Sequence, residues 1–165
     1  MKKRILSLAL SAAMALTMLP TGAFAASDKG KPPVYNKATG CYEISTPDQL
    51  LYLSGSWRDG APRDGHYVLT ADIDMTGVKG FKPIASKKDQ GFTGTFDGQF
   101  HAIKGLRVEY EKKYAGLFGY VGNQDDQAYI KDVALLDCYV TGQQNVGALA
   151  GVNYGTITGC VVTGE

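Results

Sequence analysis

The stretch "IKDVALLDCYVTGQQNVGALAGVNYGTITGCVVTGE", residues 130–165, says one thing twice: "DCYVTG" at 137–142 and "GCVVTG" at 159–164, 22 residues apart. Apolar residues at i, i+3 and i+5 also recur as Ile103, Leu106, Val108, then Ile130, Val133, Leu135, then Ile157, Cys160, Val162, each set 27 residues after the last. The same triplet fits Leu135, Cys138 and Val140, so registers of 22 and 27 residues compete. A second element accompanies the first: "AGLFGYVGN" at 115–123 and "GALAGVNYG" at 147–155, offset by 32. Strands of fixed spacing joined by turns of changing length are what stacked coils produce, because each strand must meet its equivalent above while the loops face water. One such coil has a single apolar edge and cannot bury it alone. A second coil about 4.8 Å above supplies both the strand pairing and the other half of the core. The 21 glycines suit coil corners, where a Cβ would obstruct positive φ or close backbone approach.

The chain opens with Lys2, Lys3 and Arg4, an apolar run from Ile5 to Leu19, Pro20, and the small-residue pattern Ala23-Phe24-Ala25. That is the plan of a secretory signal peptide cut after Ala25. Cleavage removes three of the 17 basic residues and none of the 16 acidic ones, leaving 14 against 16. A near-neutral chain has no basic stripe for phosphate backbones, which sets nucleic acid aside as a partner. No later run is long and apolar enough to span a bilayer. The remaining residues, about 140, are close to the commonest size of one domain. Cys41, Cys138 and Cys160 are an odd number for an oxidising compartment, so at most one intramolecular disulfide forms.

The spacing divides the chain into a signal at 1–25, a linker at 26–41, an N-terminal cap with the first strands at 42–91, and repeats at 92–165. Adjacent Pro32 and Pro33 make the linker extended. In "STPDQLLYLSG", Thr46 stands three residues before Gln49 with Pro47 at the first helical position, a capping box that predicts a short helix from Pro47 to Ser54, stopped by Gly55. "SWRDGAPRDG" is a loop, and the alternating "HYVLTADIDMTG" predicts strand.

Three segments, "GTFDGQFHAIKGL" at 94–106, "AGLFGYV" at 115–121 and "NVGALAGVNYGTITGC" at 145–160, resemble the Glug motif repeats of secreted bacterial surface proteins. The lead-in "ISTPDQLLYLS…YVLTADIDMTG…FKPIA…FTGTFDG" is similar to the segment that commonly precedes them, so the resemblance covers residues 43–165. It implies an all-β, right-handed parallel β-helix and an extracellular or wall-exposed setting, among adhesin-like proteins and the N-terminal regions of immunoglobulin A1 proteases. The second copy departs from the pattern, with Ala148 where the first has Gly116. The motif carries no catalytic residues, and none are transferred.

Candidate chemistry is sparse. His66 and His101 are the two histidines and make no zinc motif. Asp97 and His101, in "FDGQFHAI", are spaced to pair as a dyad or to serve the turn. Asp72 and Asp74, in "ADIDM", put two carboxylates on one strand face, either toward calcium or as a solvated edge. Tyr110, Tyr114, Tyr120, Tyr129, Tyr139 and Tyr154 fall in the repeat region, for stacking on sugars or for covering loops. The expectation is a non-catalytic surface module for adhesion or display that meets a host or surface glycan or protein, with no catalytic, cofactor or metal residues. The alternative is a carbohydrate-active β-helix enzyme. Residues 156–164 begin a coil with no polar cap, which predicts a longer protein or self-association through that open coil.

Overall fold

A computed structural model of the protein describes residues 30–55 and 61–165. The signal segment and its cleavage point lie outside the described residues. Among the described residues, thirteen strands and one α-helix follow in chain order: β1 (Val34–Asn36), β2 (Cys41–Ile44), α1 (Pro47–Leu53), β3 (His66–Leu69), β4 (Ile73–Asp74), β5 (Thr95–Asp97), β6 (Ala102–Lys104), β7 (Arg107–Ala115), β8 (Phe118–Val121), β9 (Tyr129–Lys131), β10 (Ala134–Val146), β11 (Ala150–Asn153), β12 (Thr156–Thr158) and β13 (Val161–Gly164), with a short 3-10 turn at Lys88–Gln90. They wind into a β-solenoid of about three turns.

Three walls enclose the core. β2, β3, β5, β9 and β12 stack in parallel as the first, and β4, β6, β10 and β13 as the second. The third runs through parallel bridges from Gly55 to Ile84 to Phe118, and on to Ala150 where β8 pairs β11. Each wall contributes one column of stacked side chains. Tyr42, Tyr67, Phe96, Ile130 and Ile157 form the first column. Ile73, Ile103, Leu135 and Val162 form the second. The columns meet through aromatic contacts: Phe92 lies 5.1 Å from Phe118, and Phe96 meets Phe118 edge-on at 5.4 Å. These residues are buried by repetition, each coil covering the apolar cross-section of its neighbour.

The first column advances by 25, 29, 34 and 27 residues, so no single period holds. A register of 27 is correct for the last step, where Ile130 pairs Ile157 and Leu135 pairs Val162. It fails for the step before, where Ile103 pairs Leu135 and Val108 pairs Val140 at 32. The triplet marks two different corners. Ile130, Val133, Leu135 turn from the first wall into the second, whereas Ile103, Leu106, Val108 lead out of the second wall. The register of 22 is wrong: Cys138 pairs with Gly164, and the N–H of Val161, the residue after Cys160, donates to the Val133 carbonyl.

All three cysteines are free thiols. Cys138 is buried, its Sγ–H donates to the Thr163 carbonyl at 3.3 Å, and burial pushes the thiol above its ordinary range. Cys41 and Cys160 are half-buried. Since the thiolate is the species that reacts, brief iodoacetamide treatment of the native protein is expected to label Cys41 and Cys160 well before Cys138. Peptide mass spectrometry reads the order, and equal labelling of all three would refute it.

At the N-terminal end, residues 34–41 are not linker. β1 pairs antiparallel with β2, Asn36 opposite Cys41, and the Asn36 amide donates to Glu43 at 2.7 Å. Pro32 and Pro33 sit just ahead of this hairpin and leave the strand that follows free to pair. The capping box of α1 is as anticipated: the Gln49 N–H donates to Thr46 Oγ1, and the Gln49 carboxamide accepts from the Thr46 N–H. The helix ends one residue early, with Ser54 as its C-cap, and it buries Leu50, Leu51 and Leu53 together. It occupies the chain between wall one and wall three in the first coil, where later coils carry a second-wall strand, and so lids the core. "HYVLTADIDMTG" is two strands, β3 and β4, because residues 70–72 turn the corner between walls.

Glycine is needed at specific corners. A Cβ on Gly98, between β5 and β6, would run into the Asp132 carbonyl of the next coil. A Cβ on Gly116 would lie 2.5 Å from the Gly147 carbonyl above it, whereas Ala148 occupies the equivalent place in the last full coil. That difference in what lies above explains the departure at Ala148. Other corners use Asp132, Asp137 and Asn145 at positive φ, residues whose short polar side chains tolerate it.

Candidate functional site: a groove along a free strand edge

Past the second wall, β7 and the distal half of β10 run together as a parallel two-stranded arm, Arg107 opposite Tyr139 through Ala115 opposite Val146, with a bulge between Gly142 and Gln144. The preceding coil has no counterpart. β4 stops at Asp74, and the chain reaches the third wall at Ile84 without another strand. β10 is therefore the sole ladder partner of β7 among the described residues. The Tyr139 N–H donates to the Leu106 carbonyl, so Leu106 and its alternates face β10. By the alternation of a strand, Arg107, Glu109 and Glu111 turn their N–H and C=O toward the open side.

A groove of about 1100 Å³ lies between this arm and the two lower coils. Its floor is built from Ser54, Gly55, Lys82, Ser86 and Lys87 of those coils, and its wall from Glu109, Tyr110, Glu111 and Lys112 of β7 together with Thr141, Gly142 and Gln143 of β10. The Ser54 hydroxyl accepts the Lys82 N–H at 2.7 Å and ties the floor segments together. Glu109 is bound by Arg107 at 2.7 Å, which holds its carboxyl below the usual carboxylate range. The Arg107 guanidinium in turn lies 4.3 Å over the Tyr139 ring. Lys82, Lys87, Lys112 and Glu111 make no ion pair among the described residues. Among its described residues the groove thus presents three uncompensated cations and one uncompensated carboxylate.

The tyrosines do not form a single row. Tyr114 meets Tyr120 edge-on at 5.3 Å, and Tyr120 stacks on half-exposed Tyr154 at 5.7 Å. Burial first, then the hydrogen bond with Tyr154, pushes the Tyr120 hydroxyl up to about 12. Tyr110 lines the groove, Tyr139 lies under Arg107, and Tyr129 is exposed on the first wall.

Asp97 and His101 are not a dyad. Asp97 accepts the Gln99 N–H within its own turn and pairs with Lys131 of the next coil at 2.7 Å. His101 Nδ1 instead lies 3.0 Å from Asp72 of the preceding coil, whose same oxygen accepts the Ala102 N–H. These two hydrogen bonds, the backbone one first, lower the Asp72 pKa. They make Asp72 a clamp between coils, one that holds above the ordinary carboxylate range and weakens on acidification through its lowered pKa. Asp74, on the same strand edge, accepts the Thr76 N–H at 2.9 Å in its own Asx turn. No cluster of three metal-ligating side chains occurs among the described residues. His66 lies exposed on β3 in the first wall, away from His101 beside β6 in the second.

Of the groove residues, Tyr110 alone stands out in the sequence. The one signal for the others was "RVEYEKKYA", a charged strand of nine residues, long for a coil whose other strands have three or four.

No family model matches the chain, and no solved structure matches it. Two curated proteins are similar. One is named halomucin, from Haloquadratum walsbyi, 34% identical over 141 residues covering 76% of this chain. The other, from Evansella cellulosilytica, is described as a Gly-rich membrane protein and is 33% identical over 101 residues covering 56% of this chain. The matched region spans 2% and 11% of the length of those two relatives.

Proposed function

We propose that the chain is an exported β-solenoid module of a bacterial surface protein, non-catalytic, displayed for adhesion. The observation that carries this reading is where recognition features lie. The interior is filled by stacked side-chain columns, while uncompensated charge and a free strand edge line an outer groove. A rigid rod of this kind presents its walls rather than an internal cavity. The names of the two relatives, a mucin and a membrane protein, support a place at the cell surface, as does the Glug resemblance. Both relatives are far longer than this chain, in keeping with a module that sits within large surface proteins.

Export with cleavage after Ala25 is the first expected result. N-terminal sequencing of the protein from the cell envelope or medium should begin at Ala26, and a membrane-impermeant amine reagent should label it on intact cells. A chain retained in the cytoplasm with Met1 in place would sink the reading.

A further inference from the structure

We propose that the groove beside β7 receives an extended peptide strand with acidic side chains, which pairs with the free edge of β7. The inference rests on the reading of the chain as an outward-facing binding module and names the partner of that groove. Edge strands left unpaired are templates for another strand, and addition to such an edge is a general mode of peptide recognition. Here the edge is bordered by a groove rather than by open solvent, so an added strand would lie against the floor at Lys82, Ser86 and Lys87. Arg107, Glu109 and Glu111 offer backbone donors and acceptors at every second residue, the repeat a peptide strand matches.

Charge decides the side chains. Among the described residues, three cations against one free carboxylate favour an acidic segment, whose carboxylates would reach Lys82, Lys87 and Lys112. A second copy of β7 is a poor occupant. Antiparallel registers centred on Glu109, Tyr110 or Glu111 all oppose glutamate to glutamate, which destabilises a sheet. A glycan is also less suited, because Tyr110 is the single aromatic ring among the described residues of the lining and the stacked pair Tyr120 and Tyr154 lies outside it. The groove offers a sugar little to stack on, and a sugar chain cannot satisfy the periodic backbone groups.

Fluorescence anisotropy of the full chain would test this with four labelled probes. The first is a heptapeptide alternating glutamate with threonine or valine; the second replaces glutamate by lysine; the third keeps the glutamates but puts proline between them; the fourth is a heparin oligosaccharide. The acidic heptapeptide is expected to bind, the lysine and proline versions at least about tenfold more weakly, and a Lys82→Glu, Lys87→Glu variant to lose about tenfold. Amide exchange at Glu109 and Glu111 should slow with the first probe alone. Equal binding of the proline peptide, tighter binding of heparin, or no binding of the acidic peptide would each overturn the proposal. Surface labelling of cells is read separately, so failure of display and failure of the groove assignment are distinguishable.

Discussion

Phe118→Ala is expected to cost about 3–5 kcal/mol of stability, the range for removing a fully buried phenylalanine. Phe118 sits on the third wall with no exposed surface, bridged below to Ile84 and paired above with Ala150. Its ring meets Phe92 of the turn ahead of wall one and Phe96 of wall one itself. Truncation therefore opens a cavity where columns from different walls converge, and neighbours held by strand ladders on both sides have little freedom to collapse into it. Against a typical total of 5–15 kcal/mol, such a loss leaves the fold marginal. Urea denaturation followed by circular dichroism would measure it, with Val161→Ala on the exposed last strand expected to stay within about 0.5 kcal/mol of wild type. A Phe118→Ala change below about 1 kcal/mol would show that the columns are not packed as described.

Concentration-dependent self-association is the second expected result. Along the second column, Ile73, Ile103 and Leu135 are 1%, 0% and 0% exposed, whereas Val162 is 44% exposed. Its neighbours Ile157 and Cys160 are half-buried as well, so the last coil shows the apolar cross-section that every lower coil covers. β12 and β13 are also the outer strands of their sheets and carry unpaired backbone edges. Sedimentation velocity of residues 26–165 alone over a hundredfold concentration range should show the weight-average mass rising, and Val162→Lys with Ile157→Lys should hold it at the monomer. A wild-type monomer at every concentration would mean that the exposed end is not adhesive.

The parts of this architecture that could be read from sequence are those imposed by stacking. A coil that must lie on another has to place an apolar residue in each column, which is why the triplets and the Gly-rich element were visible. The capping box of Thr46 and Gln49 was equally legible, because its chemistry is local. Register was not, because Ile103-Leu106-Val108 and Ile130-Val133-Leu135 bend the chain in the same way at different corners. Of the two readings of Asp97 and His101, the turn hydrogen bond holds for Asp97, and the dyad does not form for a related reason. Side chains close in sequence turn apart at a corner, and His101 finds Asp72 29 residues back, on the coil beneath. The groove was hidden more deeply still, since it exists because one coil lacks the arm its successors have, and a missing strand leaves no pattern to read.

The hairpin of β1 and the lid formed by α1 give the molecule chemical direction. Its lower end has the core sealed by Leu50, Leu51 and Leu53, and its first sheet finished by a short antiparallel strand. The described unit is therefore polar along its stacking axis: one end is closed by a lid of local chemistry, while the other is built from the same columns that each coil repeats, so a coil of the same kind would stack on the last turn and not on the lid.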